Sequence, residues 1–137
     1  MIKYVAGYFG AALAFAAIDA VWLSTMASRL YRPLIGELLA DQPNFKAAVA
    51  FYVIYLFGIM IFAVAPALRE GSWTRALILG GLLGIVCYAT YDLTNEATLR
   101  VWSTKLTVID ILWGMSLTAT SATAGYFAAR WAEGRFG

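Results

Sequence analysis

The chain has 137 residues, 62% of them apolar and only 13% charged, with a net charge of +2 and a mean hydropathy of +0.74. Soluble domains carry about 25% charged residues, so this composition excludes a water-soluble fold and specifies an integral membrane protein. The small net charge, with no Lys/Arg run, excludes a nucleic-acid partner; single Cys87 excludes an internal disulfide; and the lack of histidine leads us to expect no metal and no cofactor.

Four apolar segments are each long enough for a hydrocarbon core of about 30 Å: residues 4–26, 47–65, 76–91 and 106–129. The length of the first, its internal Asp19 and the lack of a small-residue cleavage site before Arg29 argue against a cleaved signal peptide. The connection over residues 27–46 sets Leu30, Tyr31, Leu34, Ile35, Leu38 and Leu39 among Arg29, Arg32, Glu37 and Asp41. That three-and-four spacing predicts a short helix in the membrane interface, with Pro33 in its first turn. Pro43 and Asn44 precede the second segment and Pro66 is expected to close it. Gly71-Ser72 stands before the third, with Ser72 a candidate N-cap. Trp73, Trp102 and Trp131 fall near segment ends, where indoles favour the headgroup region.

No linker is long or polar enough to divide the chain. The reading is all-α: one domain over residues 1–137, an integral membrane four-transmembrane-helix bundle with a short interfacial helix between helices 1 and 2. The termini then share one side of the membrane. Lys3, Arg69, Arg75, Arg130 and Arg135 lie on that side, and Arg29, Arg32, Lys46, Arg100 and Lys105 on the other. The balance is even, but the basic residues of the terminal side sit in shorter segments, which favours cytoplasmic termini.

Two copies of one pattern stand out within this frame: Asp19-Ala-Val-Trp22 and Asp110-Ile-Leu-Trp113, each inside an apolar segment. An ionisable group costs roughly 2.5–3.5 kcal/mol to insert and is functional by default. Asp19 lies late in the first segment and Asp110 early in the fourth, so alternating helix direction puts both in the half of the membrane away from the termini. Tyr52 and Tyr55, early in the second segment, reach the same depth. So do Tyr88, Tyr91, Asp92, Asn95 and Glu96, late in the third. The stripe from Tyr88 through Leu99 to Trp102 implies that helix three persists past Asp92 to about Val101. A lipid-facing stripe of that polarity is unfavourable, so it should point into the bundle. Gly80 and Gly84 form a small-xxx-small pair, and Gly114, Ser121 and Gly125 line helix four.

Asp19-x-x-Trp22, Phe51-Tyr52-x-x-Tyr55, Tyr91-Asp92-Leu93-Thr94-Asn95 and Asp110-x-x-Trp113-Gly114 resemble a bacterial membrane family known as domain of unknown function 2177. The resemblance spans nearly the whole chain, and the Tyr-Asp-Leu-Thr-Asn string is its most specific part. It implies a four-helix inner-membrane protein and brings no activity with it.

Three functions fit these residues. The first is an acidic-aromatic cavity that binds or moves a small amphiphile or lipid, with coupling to protons through the aspartates. Its ligand-binding residues would be Asp19, Trp22, Tyr52, Tyr55, Tyr88, Tyr91, Asp92, Asn95, Asp110 and Trp113. The second is a lipid-modifying enzyme using an Asp pair as acid and base, without a nucleophile elbow, P-loop or nucleotide fingerprint. The third is an accessory subunit whose polar face packs against another protein. Against all three stands a plain structural reading, in which the aspartates bond indoles and phenols across helices and the tyrosines pack at the interface. A homodimer is compatible with each, with Gly80 and Gly84 as its seam.

Overall fold

The computed structural model describes all of residues 1–137 and is entirely helical. Helix α1 covers Ile2–Met26 and continues through a π turn at Ala27–Tyr31, a short α segment at Arg32–Ile35 and a 3₁₀ turn at Gly36–Leu38. Helix α2 spans Phe45–Glu70, α3 Trp73–Thr98 and α4 Thr104–Phe136. The Ile2–Leu38, Phe45–Glu70 and Trp73–Thr98 helices are long and apolar enough to cross a membrane. Their outward side chains, among them Leu13, Ile54, Phe62 and Val86, are mostly exposed, as a lipid-facing surface requires.

The fourth helix is the least apolar because of where it sits. α4 packs along both α1 and α3, and its buried residues are largely small or hydroxylated: Gly114, Thr118, Ser121, Ala122, Gly125 and Ala129. Such residues let backbones approach closely. A Cβ added at Gly125 would stand 2.9 Å from the Gly7 carbonyl oxygen of α1. One added at Gly84 of α3 would fall 2.2 Å from the Gly114 carbonyl oxygen. Gly80 meets the Thr118 carbonyl in the same way, at 2.8 Å. The glycine pair expected at a dimer seam is thus used inside the chain. Four hydroxyls of α4, those of Ser116, Thr120, Ser121 and Thr123, bond carbonyls of their own helix, Ser121 that of Leu117 at 2.7 Å and Thr120 that of Ser116 at 2.8 Å. They therefore add no unpaired donor in an apolar setting.

Local chemistry sets the helix ends. Asn44 accepts from the Ala47 N–H at 3.2 Å, and Ser72 accepts from that of Arg75 at 3.3 Å. Gly71, at φ 65°, makes the left-handed turn between α2 and α3 that other residues avoid. α3 ends at Thr98, three residues short of the expected Val101, where Leu99 turns extended.

Two expectations are corrected, and proline explains both. Pro66 does not close the second helix, which runs on to Glu70. The residues after the first segment form no separate helix but extend α1. In each case a π turn ends two residues before the proline, Met60–Val64 before Pro66 and Ala27–Tyr31 before Pro33. Proline lacks an N–H and crowds the carbonyl four residues back. The wider π turn, with the Ala65 N–H reaching Met60 and that of Arg32 reaching Ala27, makes room for the ring without breaking the helix.

The core lies along α1, α2 and α4, with Phe15, Ile59, Val64 and Leu117 fully buried. A smaller cluster of Leu30, Ile35 and Leu106 seats the α1 extension on the start of α4. α2 packs mainly through Met60–Val64. Its first half is largely exposed, and that looser region is where the polar residues gather.

Candidate functional site: crossed aspartates around an aromatic cavity

The periodicity that places Asp19 and Trp22 on one face of α1 also places Asp110 and Trp113 on one face of α4. The helices are antiparallel, so each aspartate lies opposite the other helix's tryptophan. The Trp113 indole N–H points to Asp19 Oδ1 at 3.4 Å. On the other side Trp22 reaches Asp110 through one intermediary: its N–H donates to the Tyr31 hydroxyl at 3.0 Å, and that hydroxyl donates to Asp110 Oδ1 at 2.6 Å. The two indoles stack on each other, with centroids 4.2 Å apart and planes 7° from parallel. α2 joins through Tyr52, whose hydroxyl donates to Asp19 Oδ2 at 2.5 Å.

Asp19, Asp92 and Asp110 are all buried, at 7, 1 and 6% exposure, so none faces lipid. Two adjoining cavities separate them. The inner one, about 380 Å³, is lined by Asp19, Asp110, Leu23, Phe51, Tyr88 and Trp113, with Cys87, Tyr31 and Tyr91 completing it. The outer one, about 480 Å³, lies under the α1 extension and the chain that follows, between Tyr31, Arg32, Asp41, Tyr91, Asp92, Trp102 and Asp110. Leu23, Tyr31, Tyr91 and Asp110 line both. The Tyr31–Asp110 hydrogen bond therefore stands at their partition.

Gly114 shapes the inner wall: an added Cβ would fall 2.1 Å from the Tyr88 ring, so that ring lies flat against the glycine. On the far side of the indole pair, Trp22 and Trp113 line a shallow groove with Ile18, Val21 and Met26. The stacked indoles thus separate the acidic cavity from the outer surface. A groove of about 440 Å³ between α1 and α2, lined by Tyr8, Phe9, Phe57 and Met60 among others, is lined only by hydrophobic residues.

Of the ten residues singled out from the sequence, eight surround these cavities or bond the groups that do. Tyr55 lies deeper: its hydroxyl pairs with Thr118 at 2.8 Å and its ring packs against Phe15 and Tyr88. Asn95 is half-buried at the end of α3 and borders neither cavity. Tyr31 was not among the ten, because its place in the site depends on a π turn that spacing does not reveal. Glu96 joins α3 to α4, accepting from the Thr104 hydroxyl and, at 2.7 Å, from that of Thr107. Trp102 donates to Thr107 at 2.9 Å and closes that corner.

Asp92 differs from the other two aspartates. Neither of its carboxylate oxygens has a hydrogen-bond partner. The chain's three ion pairs, Lys3–Glu133, Arg75–Glu70 and Arg130–Glu133, all lie on the terminal side. No basic side chain pairs with Asp19, Asp92 or Asp110. Chemically, the site offers carboxylate acceptors beside aromatic faces, with Arg32 on the outer wall as its one basic residue and in no ion pair with them.

Residues 4–127 match the model of a family described as "Predicted membrane protein (DUF2177)". Nothing among curated proteins or solved structures matches the chain.

Proposed function

We propose that this chain, which belongs to the DUF2177 family of predicted membrane proteins, binds or moves a small amphiphile or lipid in the cavity between Asp19 and Asp110. One observation carries the reading: two carboxylates, each more than nine-tenths buried and brought from opposite ends of the sequence, line a single aromatic cavity. Intramembrane acids carry a high insertion cost and mark ligand or proton pathways. A volume of about 380 Å³ lies within the range of small-molecule sites, about 300–1,000 Å³. The polar end of the ligand lies on the side of Asp110 and the phenol of Tyr31, and its apolar body lies against Phe51, Leu23, Tyr88 and Trp113. Intramembrane acids mark proton pathways, which is the basis for proton coupling in this reading.

The membrane arrangement belongs to the same proposal. α4 crosses as the fourth span, because its less apolar residues face α1 and α3 rather than lipid. The α1 extension lies at the interface on the side away from the termini. The termini face the cytoplasm of a bacterial inner membrane, in keeping with the short basic segments around Lys3, Arg69 and Arg135.

Native mass spectrometry of gently purified protein tests the reading. Wild type should retain a small molecule that the Asp19→Asn/Asp110→Asn variant has lost. Retention of nothing by either form, or of a second polypeptide by both, contradicts it.

A further inference from the structure

Asp92 carries an inference beyond the cavity itself. Buried polar groups are nearly always paired, and an isolated buried carboxylate is far costlier than a neutral group. Asp19 and Asp110 each hold phenol or indole donors, whereas Asp92, at 1% exposure, holds none. It borders the outer chamber together with Asp110, whose Oδ1 is taken by Tyr31 and whose Oδ2 accepts no hydrogen bond within the chain. Two acceptor groups therefore face one space without enough donors.

The charged neighbours do not supply the balance. Glu96, one turn along α3, is itself an acid, engaged by Thr104 and Thr107. Asp19 lies beyond the Tyr31 partition. From the α1 extension and the chain after it, Arg32 and Asp41 line the chamber, and Arg32 makes no ion pair. Arg32 is the one basic residue on the chamber wall and stands beyond ion-pair distance of both carboxyls, which leaves space between them for a cation rich in N–H donors from outside the chain. No group of three His, Cys, Asp or Glu side chains is placed to hold a metal ion, and a hard cation needs six or more oxygens. Tyr91 and Trp102, whose rings meet edge-on at 6.0 Å on the chamber wall, suit an organic cation.

We propose that the outer chamber is the headgroup site for a primary-ammonium amphiphile, held between the Asp92 and Asp110 carboxylates. The proposal rests on the cavity reading above and names its ligand class. The ammonium's three N–H groups meet the unpartnered oxygens, and its chain passes Tyr31 into the inner cavity. A quaternary ammonium brings the charge without the donors and should bind less well.

The test is an equimolar competition among dodecylamine, dodecyltrimethylammonium and dodecanoate on the full chain in neutral-lipid nanodiscs at pH 7, read by native mass spectrometry. Binding to Asp19→Asn/Asp110→Asn serves as the baseline. Wild type should select dodecylamine, and Asp92→Asn should weaken its binding roughly tenfold or more, the usual effect of losing a charge-assisted hydrogen bond. Both Asp92→Asn and the apolar Asp92→Leu remove a buried carboxyl whose oxygens have no hydrogen-bond partner, so at least one should melt no lower than wild type, and that variant carries the comparison. Preference for either other probe, or unchanged dodecylamine binding without Asp92, overturns the ammonium site and leaves the cavity reading standing. Binding of none of the three above baseline overturns both.

Discussion

Asp19 on α1 and Trp113 on α4 meet because antiparallel helices held in register pair position 19 with 113 and, one turn on, 22 with 110. The same register sets Gly7 against Gly125 closer to the termini. A three-residue spacing written twice therefore becomes one crossed network. Each aspartate is held by the indole of the opposite helix, one directly and one through Tyr31. The stacked indoles lock the pair, and α1 and α4 share the cavity wall between them.

The α2 contact in this network is testable by deletion. Tyr52→Phe leaves Asp19 Oδ2 without its 2.5 Å donor. It should cost about 0.6–1.7 kcal/mol, the range of interhelical hydrogen bonds within membranes. Unfolding in detergent measures the loss. In the background of Asp19→Asn the same substitution should cost clearly less, since contacting residues do not act additively.

Gly114 is predicted to tolerate no side chain. An added methyl overlaps the Tyr88 ring, and forced overpacking of this kind costs about 1–3 kcal/mol. Gly114→Ala should lower the melting temperature and push Tyr88 into the inner cavity. Gly58→Ala is the matched control: nothing lies within 4 Å of a Cβ there, so better helix propensity should leave stability unchanged or raised by up to about 1 kcal/mol.

At the terminal side, the Lys3 ammonium donates to Glu133 at 2.6 Å. That hydrogen bond, helped by the charges of Lys3 and Arg130, holds the Glu133 carboxyl below its ordinary value of 4.5. A depressed carboxyl contributes stability above its unfolded value and loses it as pH falls through the lower folded one. The stability gap between wild type and Glu133→Gln should therefore be present at pH 7 and close as the pH drops below 4.5. Both side chains are about a third exposed, so the gap is small and should shrink further in salt.

Much of this arrangement was legible in the sequence, for identifiable reasons. Alternating helix direction and a 3.6-residue period suffice to bring Asp19, Asp92 and Asp110 towards one another and turn them inward, and all three are buried on the walls of two adjoining cavities. Ser72 is legible as a helix start because capping depends on local chemistry alone. What escaped depends on the backbone between the motifs. Tyr31 enters the site only because a π turn before Pro33 carries the helix onward over α4, and Pro66 is passed by the same device. Whether Gly80 and Gly84 face a second chain or α4 is a question of packing, which spacing does not answer. Tyr55 and Tyr52 look alike in sequence, yet one pairs with Thr118 in the core and the other with Asp19 at the cavity.

Cys87 makes the central claim directly measurable, since it is the only cysteine and lines the inner cavity. Its alkylation by N-ethylmaleimide can be followed in nanodiscs while single-chain amphiphiles of differing headgroup are added. Occupation of the cavity predicts that at least one of them protects Cys87 saturably in wild type and not in Asp19→Asn/Asp110→Asn. Alkylation that proceeds at one rate whatever is added, or protection that survives in the double variant, would contradict a ligand site built on those two aspartates.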